Sequence, residues 1–265
     1  MVKLGVNTVL YKGYTLDEAV AELRKIGYDG FEISALKGMC EHLCLDGWKD
    51  QVNEIKEIVE RHSMPILSAE VATNDADRLR LAFEAANAIG IPVLNIGPGG
   101  KADDEESLAA CLENLSRLAK MAEEYKVTLC VKAHVGNAVY STPTTLRAIE
   151  AVKSGFFGID MDPSHIYRAG EEPEKALASV VKAMRHVHIR DCVGRGPSPG
   201  TPFEQICGVG GINLMGYFGE LMKGGYDGPV CLEVIGPELS MSDANIVAAS
   251  SYGYMNACLK SLGGR

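Results

Sequence analysis

Four apolar runs in the second half of the chain, VTLCVKAH, FGIDMDPSH, RHVHIRD and VCLEVIG, each run into ionisable residues. They put Lys132 and His134, Asp162 and His165, His188 and Arg190, and Glu233 at the C-terminal ends of four predicted strands. In a parallel α/β barrel all such ends open onto one rim, where barrel enzymes carry their chemistry. Charge in an apolar strand is costly unless it is paired or used. The pattern therefore constrains both the fold and the place to look for function.

Period and punctuation predict eight strand-then-helix units. Strands are expected near 2–8, 30–34, 65–71, 92–97, 127–134, 157–162, 185–190 and 229–235, and helices near 15–27, 48–62, 75–89, 104–125, 143–153, 172–182, 212–223 and 240–261. Thr15 with Glu18 reads as a capping box, Pro143 and Pro173 suit first helical turns, and Gly27, Gly90 and Gly225 stand where helices should stop. LRKIGYDGFEI and LMKGGYDGPVCLEV form a weak internal repeat of a helix end, a Gly-Tyr-Asp-Gly turn and a strand bearing a glutamate. Repeated βα units favour a closed (β/α)8 TIM barrel over a doubly wound sheet. The 265 residues, with no linker or low-complexity segment, read as one domain, 1–265.

The formal charge of -9 disfavours nucleic acid and anionic membrane as partners. No apolar run is long enough to span a bilayer, and the N-terminus lacks the marks of a signal peptide. The eight scattered cysteines suit a reduced, cytoplasmic setting. A homo-oligomer is compatible with a barrel of this size, although nothing marks an interface.

Side chains alternate along a strand. Cys130, Lys132 and His134 share one face, as do Asp160 and Asp162, His186, His188 and Arg190, and Cys231 and Glu233, all expected to point into the barrel. Asn7, Glu32, Glu70 and Asn95, late in the first four strands, are expected to form a polar floor. Asp162, His188 and Glu233 offer two carboxylates and an imidazole, a donor set suited to Mn²⁺, Mg²⁺, Co²⁺ or Zn²⁺. The alternative is a structural ion-pair network. GPGG (97–100) and GVGGIN (208–213) read as structural turns, and Trp48 and Tyr11 as packing residues or sugar walls. Cys40, His42 and Cys44 are too few for a zinc site.

HVHIRD, DPSH, CLEV and the opening LGVNT…GYDGFEIS resemble the xylose-isomerase-like superfamily of sugar isomerases and epimerases, and the resemblance runs through the whole chain. It implies a TIM barrel, a sugar substrate and one divalent metal held by Glu, Asp, His and Glu. Asp162, His188 and Glu233 match three of those ligands, His165 matches a substrate-binding histidine, and Arg195 lies near a substrate-binding arginine. Lys132 stands where relatives have the fourth ligand, a glutamate. Three outcomes stay open. His134 or Glu70 completes a metal shell, the favoured reading. Alternatively Lys132 is a neutral base, or no metal is held and Lys132 pairs Asp162 and Glu233. The expected activity is proton transfer next to a carbonyl, with Glu233 and Lys132 catalytic and His165, Arg195, His134 and Glu70 binding substrate. The rivals are a dehydratase or lyase on a keto-sugar or keto-inositol, an abasic-site endonuclease, which the charge disfavours, and a catalytically silent sugar- or partner-binding barrel.

Overall fold

A computed structural model describes all residues 1–265. Eight parallel strands carry the fold: β1 (Lys3–Val6), β2 (Phe31–Leu36), β4 (Ile66–Glu70), β5 (Val93–Ile96), β6 (Thr128–Lys132), β7 (Phe157–Asp160), β8 (Met184–Ile189) and β9 (Pro229–Leu232). They lie in the order β1-β9-β8-β7-β6-β5-β4-β2, with a short β3 (Cys40–Glu41) antiparallel to β2. A parallel bridge from Asn7 to Glu32 and the bond from Asp29 N–H to Leu4 O (2.9 Å) bring β1 back to β2. Consecutive parallel strands that meet end to end make the (β/α)8 barrel expected from the sequence.

Helices α1 (Leu16–Ile26), α2 (Trp48–His62), α3 (Ala76–Ile89), α4 (Glu105–Tyr125), α5 (Thr142–Ala151), α6 (Pro163–Arg168), α7 (Pro173–Val180), α8 (Leu214–Lys223) and α9 (Met241–Ser261) follow the strands. The Thr15–Glu18 capping box forms, and Gly27 ends α1 at φ 107°, a conformation open to glycine at little cost. Leu16, Ala19, Val20 and Leu23, at helical spacing, bury the inner stripe of α1. Truncating Leu23, which has no exposed surface, would cost about 2–5 kcal/mol.

The outward strand residues Val131, Ala133, Ile159, Met161, Val187, Ile189, Val230 and Leu232 are buried in one apolar core under the helices. That leaves the polar set inside the barrel, as alternation requires. Two strand registers slip at Glu32 and at Asp160. Such irregularities re-aim side chains, and these two carboxylates meet on one histidine. All eight cysteines are free, and no helix is long and apolar enough to cross a membrane.

α6 and β3 are absent from the sequence reading. Asp162 caps α6, its Oδ1 accepting from Ser164 N–H at 2.7 Å, so DPSH turns into a helix instead of the expected loop.

Candidate active site

Charged side chains fill the barrel at two levels. In the lower one, Glu32 accepts from Asn95 Nδ2 (2.5 Å), Ser68 Oγ (2.8 Å) and Asn7 Nδ2 (2.9 Å). Its Oε2 also meets His188 Nε2. His188 Nδ1 lies 2.5 Å from Asp160 Oδ2, and Asp160 Oδ1 accepts from the His188 backbone N–H at 2.7 Å. Burial opposes a charge on His188, but Asp160 and Glu32 outweigh it and raise its pKa well above the usual range. Glu32, Asp160 and His188 have no exposed surface, so this level is sealed.

The upper level opens to solvent. Lys132 Nζ donates to Glu70 Oε1 at 2.7 Å and to Glu233 Oε1 at 2.8 Å. Arg190 Nη2 lies 2.9 Å from Asp162 Oδ2 and 3.3 Å from Glu233 Oε2, while Arg190 Nε donates to Ser164 Oγ at 2.8 Å. Burial opposes the charge on Lys132, yet Glu233 and Glu70 hold its pKa above the ordinary lysine value. The two carboxylates then diverge. Burial and the neighbouring Glu233 push Glu70 up to about 8. Glu233 is held well below its usual range, against burial, by Lys132 and Arg190. One ammonium thus serves two carboxylates of opposite tendency, Glu70 pushed towards its protonated form and Glu233 held ionised, while Glu70 Oε2 also accepts from Asn7 Nδ2 at 2.7 Å. A pair pushed apart in this way is suited to acid and base roles.

Above this level is a cavity of about 490 Å³, lined by Glu70, Lys132, His134, His165, Arg190 and Glu233 among others. That volume suits a small molecule. Residues from β4, β6, β8 and β9 and from the segments that follow them converge on it, on the side where barrel strands end. The His134 and His165 rings lie 4.0 Å apart. Burial and Arg190 keep His165 well below the usual histidine range, and burial and Lys132 lower His134, so both are neutral.

Ligand-type side chains do cluster. Donor atoms of Glu70, His188 and Glu233 lie within 4.8 Å of one another, as do those of Glu32, His186 and His188. The expected trio was Asp162, His188 and Glu233. Asp162 belongs to neither cluster, because its carboxylate caps α6 and faces Arg190. These donors could take up a dication only if Lys132 gave up Glu70 and Glu233. Each His188 nitrogen lies against a carboxylate, Nε2 against Glu32 and Nδ1 against Asp160, so a ligand role would have to open one of those contacts. Glu70 and Glu233 are taken by Lys132. At 4 Å and an effective dielectric near 20, a dication beside that ammonium would meet a repulsion of roughly 8 kcal/mol.

Residues 20–253 match the model of the xylose isomerase-like TIM barrel family. The chain belongs to that family. Similar xylose isomerase-like proteins include the inosose dehydratase of Clostridium perfringens, 21% identical over 222 residues (72% of this chain, 71% of that one). The fructoselysine 3-epimerase of Escherichia coli O157:H7 is 22% identical over 256 residues (88% of this chain, 90% of that one). Among solved structures, a D-tagatose 3-epimerase-like protein superposes with a TM-score of 0.80 at 18% identity, covering 99% of this chain and 98% of that one. A probable 3-DHS dehydratase of petrobactin synthesis from Bacillus anthracis gives 0.76 at 14% identity, covering 96% and 99%.

Within this barrel, Glu70, Lys132, His134, His165 and Glu233 line the cavity as the sequence suggested. Arg195 does not. Its guanidinium stacks 3.9 Å from the Tyr167 ring centre and donates to the carbonyls of Tyr167 (2.7 Å) and Glu171 (2.9 Å), pinning the α6–α7 turn. Arg190 and Arg168 supply the guanidiniums at the cavity. Arg190 was visible as the polar residue two after His188. Arg168 was missed, since its signal, one helical turn after His165, exists only once α6 is known. Tyr11 is buried and donates to Asn245 Oδ1 (2.9 Å), and neither it nor Trp48 lines the cavity. The GVGGIN turn is structural: Asp191 accepts from Gly208 and Ile212 N–H at 3.0 and 3.1 Å, and a side chain at Gly210 would strike Asp191 and the Cys192 carbonyl.

Proposed function

We propose that this protein is a sugar isomerase or epimerase that moves a proton at the carbon next to the carbonyl of a small polyhydroxy ketone or aldehyde. The observation that carries this reading is Lys132, buried between Glu70 (2.7 Å) and Glu233 (2.8 Å) on the cavity floor, with the two carboxylates pushed in opposite directions. Ionised Glu233 takes the proton from carbon. The electron pair moves onto the carbonyl oxygen, where Lys132 and Arg190 are placed to hold the negative charge. Glu70 returns a proton to the enediolate, on the other face of the same carbon for epimerisation, or on the former carbonyl carbon for isomerisation, the neighbouring hydroxyl then passing its proton to the new alcohol oxygen. His134 and His165, both neutral, are placed to bind hydroxyls. These steps are carried by the chain's own residues, with Lys132 occupying Glu70 and Glu233.

A dehydratase is the second reading, and the proton on Glu70 favours it, since a neutral carboxyl can release a β-hydroxyl as water. Both activities have named counterparts among the relatives. Within either reading, residues 1–265 act as one domain in the cytoplasm. Proton NMR of D-tagatose, D-fructose 6-phosphate and a keto-inositol in D2O distinguishes the two. Deuterium gain with an isomeric product supports the first, a dehydrated product supports the second, and no exchange with any of the three contradicts both.

A further inference from the structure

Arg168 is the cation at the cavity with no carboxylate partner. Lys132 pairs with Glu233 and Glu70, and Arg190 with Asp162 and Glu233. Arg168 instead donates to neutral acceptors: the carbonyl of Pro197 (2.8 Å), the carbonyl of Ser164 (3.3 Å) and His165 Nδ1 (2.9 Å). No acidic side chain lies within 4.0 Å of it, although the chain as a whole carries a net charge of -9. His165 cannot balance it. That ring sits between Arg168 and Arg190, whose Nη2 lies 2.9 Å from Nε2, and it is neutral. A neutral imidazole accepts at one nitrogen only; Val135 N–H also donates to Nδ1 (3.3 Å), so Nδ1 is the acceptor and Arg190, facing Nε2–H, relies on Asp162 and Glu233.

In the upper level Glu70 and Glu233 stand against Lys132, and Asp162 and Glu233 against Arg190, which leaves Arg168 as the cation without a carboxylate. The deeper Glu32 and Asp160 are occupied by His188, in the sealed level. A partly buried guanidinium without a counter-ion, on the wall of a cavity that admits a small molecule, is arranged to receive one.

We infer that the substrate carries an anionic group, a carboxylate or a phosphate monoester, bound by Arg168 beside His165. This rests on the proposed proton-transfer reading and adds the substrate's charge class. It makes Arg168 a specificity-determining residue, placed to one side of the Lys132 centre.

Binding of D-gluconate, D-glucose 6-phosphate and D-glucitol, measured by calorimetric titration at 20 and 200 mM salt, tests it without requiring turnover. The expected result is at least a tenfold preference for one or both anionic probes over glucitol, narrowing at high salt. The stronger anion identifies the source as carboxylate or phosphate. Arg168→Met should lose the preference and leave glucitol unchanged, Arg168→Lys should keep part of it, and melting curves show whether both fold. Equal response to charged and neutral probes, or a preference that survives Arg168→Met, overturns the inference. Glu233→Gln should retain the anion preference while losing exchange, so failure here and failure of the proton-transfer reading are separable.

Discussion

The two charged levels of the barrel both set carboxylates against a cationic side chain, and they differ in access. The lower one, Glu32–His188–Asp160, has no exposed surface and closes every charge on a partner. The upper one, Glu70–Lys132–Glu233 with Arg190, is almost as deeply buried, yet it forms the floor of the cavity. Buried charge on a strand is thus no mark of catalysis by itself. The sealed level anchors the strands and sets the local field, and the open level can exchange protons with a substrate. A buried ion network adds little net stability but is costly to break on one side, so the levels should respond differently to substitution.

The largest expected effect is in the open level. Glu233→Gln removes the base and should lower deuterium exchange into substrate by about 10³-fold with little loss of melting temperature. Exchange within tenfold of the parent would take Glu233 out of the reaction. In the sealed level, Glu32→Gln should cost about 3 kcal/mol in urea unfolding by leaving His188 half-paired, while the folded protein keeps exchange within about tenfold. A variant that unfolds normally but is inactive would erase the distinction between levels.

The pH response sharpens it further. Glu70 binds its proton more tightly in the folded chain, with a pKa of about 8 against the ordinary glutamate value of 4.5. Its contribution to stability is therefore fully present below pH 4.5 and is lost as pH rises through 8. Exchange should be steady from about pH 6 to 8 and fall roughly tenfold per unit above it, as the acid loses its proton. A profile still rising at pH 9 would remove Glu70 as the acid. The smallest effect belongs to Arg195→Ala. Tied to the α6–α7 turn outside the cavity, it should change exchange less than about threefold and stability by about 1 kcal/mol or less. A tenfold loss of exchange would restore Arg195 to substrate binding.

The barrel was legible because alternation and helix punctuation are local: Val131 and Ile159 face the helices where parity put them, and Gly27 stops α1. The convergence of Lys132, His134, His165 and Glu233 followed from strand order alone. Partner choice did not. Whether Asp162 turns to a metal or to Arg190 depends on side chains brought together across strands, and its capping of α6 settles the matter. The register slips at Glu32 and Asp160 likewise leave no trace in a strand pattern, yet they aim both carboxylates at His188. Arg195 misled because sequence proximity to the His-x-His strand says nothing about which way the following loop turns.

The central claim is that the Lys132 ammonium and Arg190 guanidinium stand where related barrels are expected to hold a dication. The direct measurement is deuterium exchange next to the carbonyl of whichever sugar or sugar phosphate exchanges in D2O, by protein passed through EDTA, with its metal content determined alongside. The account expects exchange at the untreated rate in protein free of divalent metal, and its loss in Lys132→Met. Exchange that disappears with the metal and returns when Mn²⁺ is added would contradict it.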